Sequence, residues 1–381
     1  MRNKLIHVVT LGCSKNLVDS EYLMKQLQAG GYQIVHDSDN TDAKIVIINT
    51  CGFIQDAKQE SINTILEFAQ AKSAGKIDKL YVMGCLSERY KPELKKEIPE
   101  ADEFFGVNNM KDVLKDLQVD YKKELTGERL LTTPAHYAYL KISEGCNRKC
   151  SFCAIPLIRG KHISRPVEEI VAEATHLAAQ GTKELILIAQ DLSSYGLDLY
   201  KKPILAELLE QLSAIKGMEW IRLHYAFPAS FPNEVIEVMK SHDNICKYLD
   251  IPFQHISNHV LKDMRRGIDK NETYSLIKYF REQIPGIALR TTLLVGHPGE
   301  TDEDFEELKD FVQTTRFDRL GIFPYSPEEG TWAYKHYPDN VPDALKQQRA
   351  DEIMAIQAEI SNELNREKVG KIFKILVDRE V

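Results

Sequence analysis

Apolar residues in this chain cluster in short, nearly continuous runs, separated by longer stretches where they recur every three or four positions. Short runs rich in Ile, Val and Leu read as buried strands, and the stretches between them as helices. The first runs are "LIHVVTL" (5–11), "KIVIIN" (44–49), "KLYVMG" (79–84) and a weaker "EFFGV" (103–107). After the first lies "DSEYLMKQLQAGG", a helical stretch with Asp19 or Ser20 as its cap and Gly30-Gly31 as its stop. This alternation predicts an α/β fold with a doubly wound parallel sheet over residues 1–118. Residues 119–136 have no period and read as a linker.

Residues 137–340 carry a second series: "YAYLKIS", "ELILIAQ", "WIRLHYAF", "KYLDIPF", "ALRTTLLVG" and "RLGIFPYS". Each gap has room for a helix, so six β-α units predict a partial (βα)6 barrel. Within it, "GETDEDFEEL" reads as a helix start, with Thr301 as cap and acids that suit the helix dipole, rather than as a metal site. Residues 341–366 read as a final helix. Residues 367–381, with "GKIFKILVDREV", read as a lone strand opening a small β domain.

Composition narrows the function classes. At 381 residues the chain has room for two or three domains, and 43% hydrophobic with 28% charged residues is ordinary for a globular protein. No apolar run approaches the roughly 20 residues of a membrane span. The start, "MRNKLIHVVTLGC", reads as a first strand and not as a leader, which places the protein in the cytoplasm with no membrane partner. A net charge of −8 argues against a broad nucleic-acid footprint.

The seven cysteines change the picture most. An odd number in a chain of this length argues against a disulfide framework and for metal or catalytic chemistry. Cys146, Cys150 and Cys153 have the spacing C-x-x-x-C-x-x-C directly after the first barrel strand. Three thiolates so close can hold an iron–sulfur cluster, and a four-iron cluster then keeps one iron open. Zinc is the competitor, with His162 as the nearest residue that might complete four ligands. Cys13, Cys51 and Cys85 each follow a predicted strand, 38 and 34 positions apart. The carboxyl ends of parallel strands share one sheet edge, where ligands gather, so these three can converge on a second cluster. Each alone would read as a small buried hydrophobe. Cys246, which enters its strand from the amino end, keeps that reading.

The C-x-x-x-C-x-x-C loop with Phe152 before its last cysteine resembles the radical S-adenosylmethionine superfamily. With "LGCSKNLVDSE", "INTCGFI", "MGCLSERY", "AQDLSSYG", "IPFQHISNHVLKDMRRG", "LLVGHPGETDEDFEEL" and "FPYSPEEGTWA", the chain resembles the methylthiotransferase family over nearly its whole length. It looks most like the branch that modifies a ribosomal protein; the branch that modifies transfer RNA is the alternative. The resemblance implies an auxiliary 4Fe–4S cluster on Cys13, Cys51 and Cys85, and a radical-generating one on Cys146, Cys150 and Cys153. It implies a methylthio group placed on the β-carbon of an aspartate in small-subunit ribosomal protein twelve, on the ribosome. One S-adenosylmethionine would supply the methyl group and a second the hydrogen-abstracting radical. A sulfur donor and a low-potential electron donor such as flavodoxin or ferredoxin are implied partners, and a monomer is expected. The family ends in a small TRAM β domain, of which only the opening strand falls within this sequence.

Other candidates stand on placement. Gln190 and Gln254 end barrel strands and Arg290 lies within one, which suits contacts to S-adenosylmethionine at the barrel mouth. Arg159, Lys161, His162 and Arg165 read as a solvated basic loop, with phosphate or RNA contact as the sharper option. His7, His224 and His255 read as core or surface residues. A reading from another class, a non-catalytic iron–sulfur electron or cluster carrier, stays open.

Overall fold

In the computed structural model, which describes residues 4–39 and 41–377, the chain forms two parallel sheets. Residues 1–3, which hold the chain's basic start, and the last four residues of the expected terminal strand lie outside the described residues.

The first sheet holds β1 (Leu5–Thr10), β2 (Gln33–His36), β3 (Ile45–Thr50), β4 (Lys79–Gly84) and β5 (Glu103–Phe104) in the order β2-β1-β3-β4-β5, all parallel. Strands β1, β3 and β4 are therefore contiguous, and their carboxyl ends lie side by side. Helices α1 (Ser14–Ala29), α2 (Gln55–Ser73), α3 (Cys85–Glu97) and α4 (Met110–Asp116) cover the faces.

Two local expectations are corrected. The short edge strand β2 is too brief to show a period, and the sequence pattern does not predict it. Helix α1 begins at Ser14, so Asp19 and Ser20 lie inside it and cap nothing. Both side chains are taken by tertiary partners: Asp19 pairs with Lys141 and Arg159, while Ser20 bonds Thr10 and Asn49. The stop is as expected, with the chain leaving the helix at Gly30 and turning at Gly31, where φ is +87°.

The second sheet has β6 (Tyr137–Lys141), β9 (Glu184–Ile188), β10 (Trp220–Leu223), β11 (Ile245–Asp250), β12 (Ala288–Val295) and β13 (Arg319–Pro324), parallel, in the order β13-β12-β11-β10-β9-β6. Between β6 and β9 a small antiparallel hairpin, β7 (Ser143–Glu144) with β8 (Ile163–Ser164), encloses the cysteine loop. Six all-parallel strands with helical crossovers make the partial barrel the sequence predicts, its core a single large cluster around Leu140, Leu187, Leu249 and Leu293. Thr301 caps its helix in a reciprocal capping box with Asp304, while Glu300 and Asp302 pair with Arg349. The acid-rich stretch is thus consumed by a cap and ion pairs.

The helix Asp343–Arg366 follows, as expected. Beyond it, residues 371–377 form no strand and are largely exposed. A single strand has no ladder to hold its N–H and C=O groups, so the expected terminal strand does not form here.

The two sheets are joined at both edges of the barrel mouth. Along one edge α1 serves two cores at once: Leu23, Met24 and Leu27 face the first sheet, while Val18 and Tyr22 pack with Ile186, Ile188, Tyr137 and Tyr139. Beneath this contact the wholly buried Arg129, from the linker, pairs with Glu21 at 2.8 Å and Glu173 at 2.9 Å and donates to the Tyr139 carbonyl at 2.6 Å. At the other edge Glu328, just after β13, accepts from Arg89 at 2.7 Å and Lys58 at 3.1 Å.

Candidate cofactor site at the barrel mouth

The carboxyl ends of both sheets face one cavity of about 530 Å³. Cys13, Cys51 and Cys85 line it from one side and Cys146, Cys150 and Cys153 from the other, with Gln190 and Gln254 in its wall. Six cysteines from two sheets, the first and last 140 residues apart in sequence, thus share one space.

On the first sheet each cysteine follows its strand. Cys13 takes the extended backbone that precedes α1, Cys51 comes straight after β3, and Cys85 opens α3 after β4. Gly12 has φ of +92°, and a Cβ there would stand 2.9 Å from the Cys51 sulfur; only glycine lets these turns approach so closely. Asn16 ties the turns together, donating to the Leu11 carbonyl at 2.8 Å and the Thr50 carbonyl at 3.0 Å. Cys13 is exposed, so it is not the buried hydrophobe that its local sequence suggests; Cys51 and Cys85 are buried.

On the barrel side the cysteine loop is pinned from beneath. Cys146 N–H donates to the Gly160 carbonyl, Ser151 N–H to Met264, and Ala333 N–H to the Ser151 carbonyl. Donors reach sulfurs of both sets: Arg148 N–H lies 3.4 Å from Cys146 Sγ, Arg266 Nη1 3.1 Å from Cys150 Sγ, and Arg159 Nη2 3.6 Å from Cys85 Sγ. Burial pushes the Cys146 thiol up to about 11 and the Cys85 and Cys153 thiols up to about 12, and raises Cys51 as well. Binding a metal there must therefore expel protons, and the arginines are placed to stabilise the thiolates.

Among the described residues, no three His, Cys, Asp or Glu converge on a point fit for a single metal ion. His162 is buried against Ser164 and is not part of the cavity wall, so it completes no zinc site. Cysteines arranged around a volume, with N–H donors aimed at sulfur, fit multi-atom iron–sulfur clusters.

Gln190 donates to Glu144 at 2.7 Å, which leaves its buried Oε1 without a partner among the described residues. Burial works against ionising Glu144, but the Lys141 and Arg159 cations outweigh it and hold the carboxyl down to about 2. Gln254 has φ of +74° and Tyr225 of +71°, both at the cavity wall, in backbone conformations costly for any residue but glycine. Arg290 lies elsewhere: it lines a separate recess of about 570 Å³ with Arg222, His224 and Arg319. As the third residue of an eight-residue strand it stands far from the carboxyl end, at roughly 3.3 Å per residue.

The basic loop is not solvated. Arg159 and His162 are buried and Arg165 is half-buried against Glu173; of the four, Lys161 alone is exposed. Sequence reasoning missed Asn16, Glu144 and Arg266, and it placed Arg159 in a solvated loop although its partners Asn16, Asp19 and Cys85 lie far away in the chain. Lys15, also missed, lines the cavity with its Nζ 3.6 Å from the centre of the Tyr225 ring. Cys246 sits second in β11, away from this cavity's wall. His7 and His255 are buried, and His224 faces the Arg290 recess.

A family model described as the radical SAM superfamily matches residues 140–312, and one described as uncharacterized protein family UPF0004 matches residues 5–106. Ribosomal protein uS12 methylthiotransferase RimO of Phocaeicola vulgatus is 60% identical over 380 residues, spanning 100% of this chain and 88% of that protein. Its counterpart in Bacteroides fragilis is 60% identical over 379 residues, with the same coverage. A solved structure of the radical S-adenosylmethionine methyltransferase TsrM from Kitasatospora setae, with tryptophan and a SAM analogue, superposes with a TM-score of 0.62. It covers 94% of this chain and 89% of that one at 14% identity, a likeness of fold alone.

Proposed function

Since the chain belongs to the family of ribosomal protein uS12 methylthiotransferases named RimO, we propose that it places a methylthio group on the β-carbon of an aspartate in uS12. The observation that carries this reading is the convergence of two three-cysteine sets on one cavity. Cys146, Cys150 and Cys153 hold one 4Fe–4S cluster, and Cys13, Cys51 and Cys85 a second. When bound, the clusters and S-adenosylmethionine supply one-electron cleavage of a sulfonium and a transferable methylthio group.

The chain's own residues bind, orient and exclude water. Arg148, Arg159 and Arg266 direct N–H groups at the sulfurs, which stabilises the thiolate form. Gln190 offers its unpartnered oxygen to a donor of S-adenosylmethionine, and Gln254 forms the facing wall. Arg290, in the other recess, takes no part in this assignment. Phe53, Phe152 and Phe227 line the cavity with apolar surface that keeps water from a reactive intermediate. Residues 1–118, 137–340, 341–366 and 367–381, with the 119–136 linker, are the proposed units. A cytoplasmic monomer supplied by a separate sulfur donor and a low-potential electron donor completes the reading; no helix among the described residues is long and apolar enough to cross a membrane.

The test is anaerobic reconstitution with S-adenosylmethionine and dithionite, offering uS12 and transfer RNA side by side. We expect uS12 to gain the mass of one methylthio group at an aspartate and deoxyadenosine to be released. Modification of transfer RNA alone would reassign the substrate, and absence of deoxyadenosine would leave only a cluster carrier.

The turn at Gly12 gives a milder test. Gly12→Ala forces a Cβ into the space of Cys51 at a left-handed position, a strain of about 1–3 kcal/mol. We expect less iron after reconstitution and a lower melting temperature; iron equal to wild type would show that the turn tolerates the methyl group.

A further inference from the structure

The cations lining the cavity differ in one respect. Arg148 is paired with Asp191 at 2.8 Å, Arg159 with Asp19 at 3.0 Å and Glu144 at 2.9 Å, and Arg266 donates to the Pro252 carbonyl and to Cys150. Lys15 is 8% exposed and has no ion pair among the described residues; its ammonium rests on the Tyr225 ring. Of the acidic groups that act on it, Glu144 is taken by Lys141 and Arg159, Asp250 feels Arg290 more than Lys15, and Cys13, two residues back, is the remaining one. A cation withdrawn from water without an anion is costly, and a ring face offsets only part of that cost. The position is therefore built for an anion that arrives with a ligand.

We propose that Lys15 Nζ receives the side-chain carboxylate of the substrate aspartate and selects it over asparagine. This rests on the functional reading above. Lys15 is the second residue of α1, two after Cys13, and lines the same cavity as the 146–153 loop. The carbon to be modified is bonded directly to the carboxylate carbon, so holding the carboxylate fixes the β-carbon within one bond of a known point. An amide in its place would direct N–H groups or a weaker acceptor at the ammonium.

The experiment compares wild type, Lys15→Met and Lys15→Arg, all reconstituted, on uS12 carrying Asp or Asn at the modified position. Iron content and peptide-free deoxyadenosine release are measured in parallel. Wild type should prefer Asp strongly. Lys15→Met should lose on the order of 100-fold in kcat/KM for Asp, with its Asp/Asn ratio falling towards about one. Lys15→Arg, which keeps the charge, should restore the preference. Iron and deoxyadenosine release should stay within about twofold of wild type in both variants. A Lys15→Met enzyme that keeps the Asp/Asn ratio overturns the proposal. So does loss of iron or deoxyadenosine in step with activity, which would assign Lys15 to a cluster or to S-adenosylmethionine. Wild type that modifies neither form of uS12 would overturn the functional reading, and this assignment with it.

Discussion

Replacing Cys13, Cys51 and Cys85 together by alanine lowers the iron of the reconstituted protein from about eight to about four per chain and abolishes methylthiolation. Deoxyadenosine release survives, because the 146–153 loop is held by its own contacts to Gly160, Met264 and Ala333. The fold survives too: Cys13 is exposed, and the turns around Cys51 and Cys85 are held by Asn16, Thr50 and Ser61 rather than by sulfur. Iron and sulfide counts decide the matter. Eight irons retained in the triple variant would show that these cysteines hold no cluster. Loss of all iron would show that the two sites do not assemble independently.

Arg129→Met produces the largest expected loss of stability. The guanidinium neutralises Glu21 and Glu173, and all three side chains are at most 2% exposed. Removing one partner of a buried pair leaves uncompensated charge and costs about 3–5 kcal/mol. With an unfolding entropy of about 2.1 cal/mol/K per residue, that lowers the melting temperature by roughly 4–6 °C. Adding Glu21→Gln removes one stranded charge and should recover part of the loss, whereas Glu173 still has Arg165 at 2.7 Å. An unchanged melting temperature would mean that water reaches these acids as readily as the guanidinium does.

Much of this site was legible because topology makes it so. In a parallel sheet the residue after each strand falls on one edge, so Cys13, Cys51 and Cys85 announced their meeting through strand ends alone. The three-cysteine loop announced itself by spacing, and Thr301 by its position before an acid-rich helical turn. Less legible was anything fixed by a partner far away in the chain. Asp19 resembles a helix cap in sequence, but it is held by Lys141 and Arg159 across the contact between the sheets. Arg159 resembles a solvated loop residue, yet that same contact buries it. Arg290 illustrates a different limit: a strand's period tells which side of the sheet a residue takes, but its distance along the strand decides which end of the barrel it serves. Helix α1 carries apolar residues on two faces because it fills two cores, which blurs the single stripe from which a helix start is usually read.

The two attachments across the barrel mouth bear on how a large substrate is handled. With Arg129 anchoring one edge and Glu328 the other, the first sheet is fastened like a bridge at both banks. With both attachments in place, a substrate loop that reaches the cavity would enter and withdraw without any parting of the two halves.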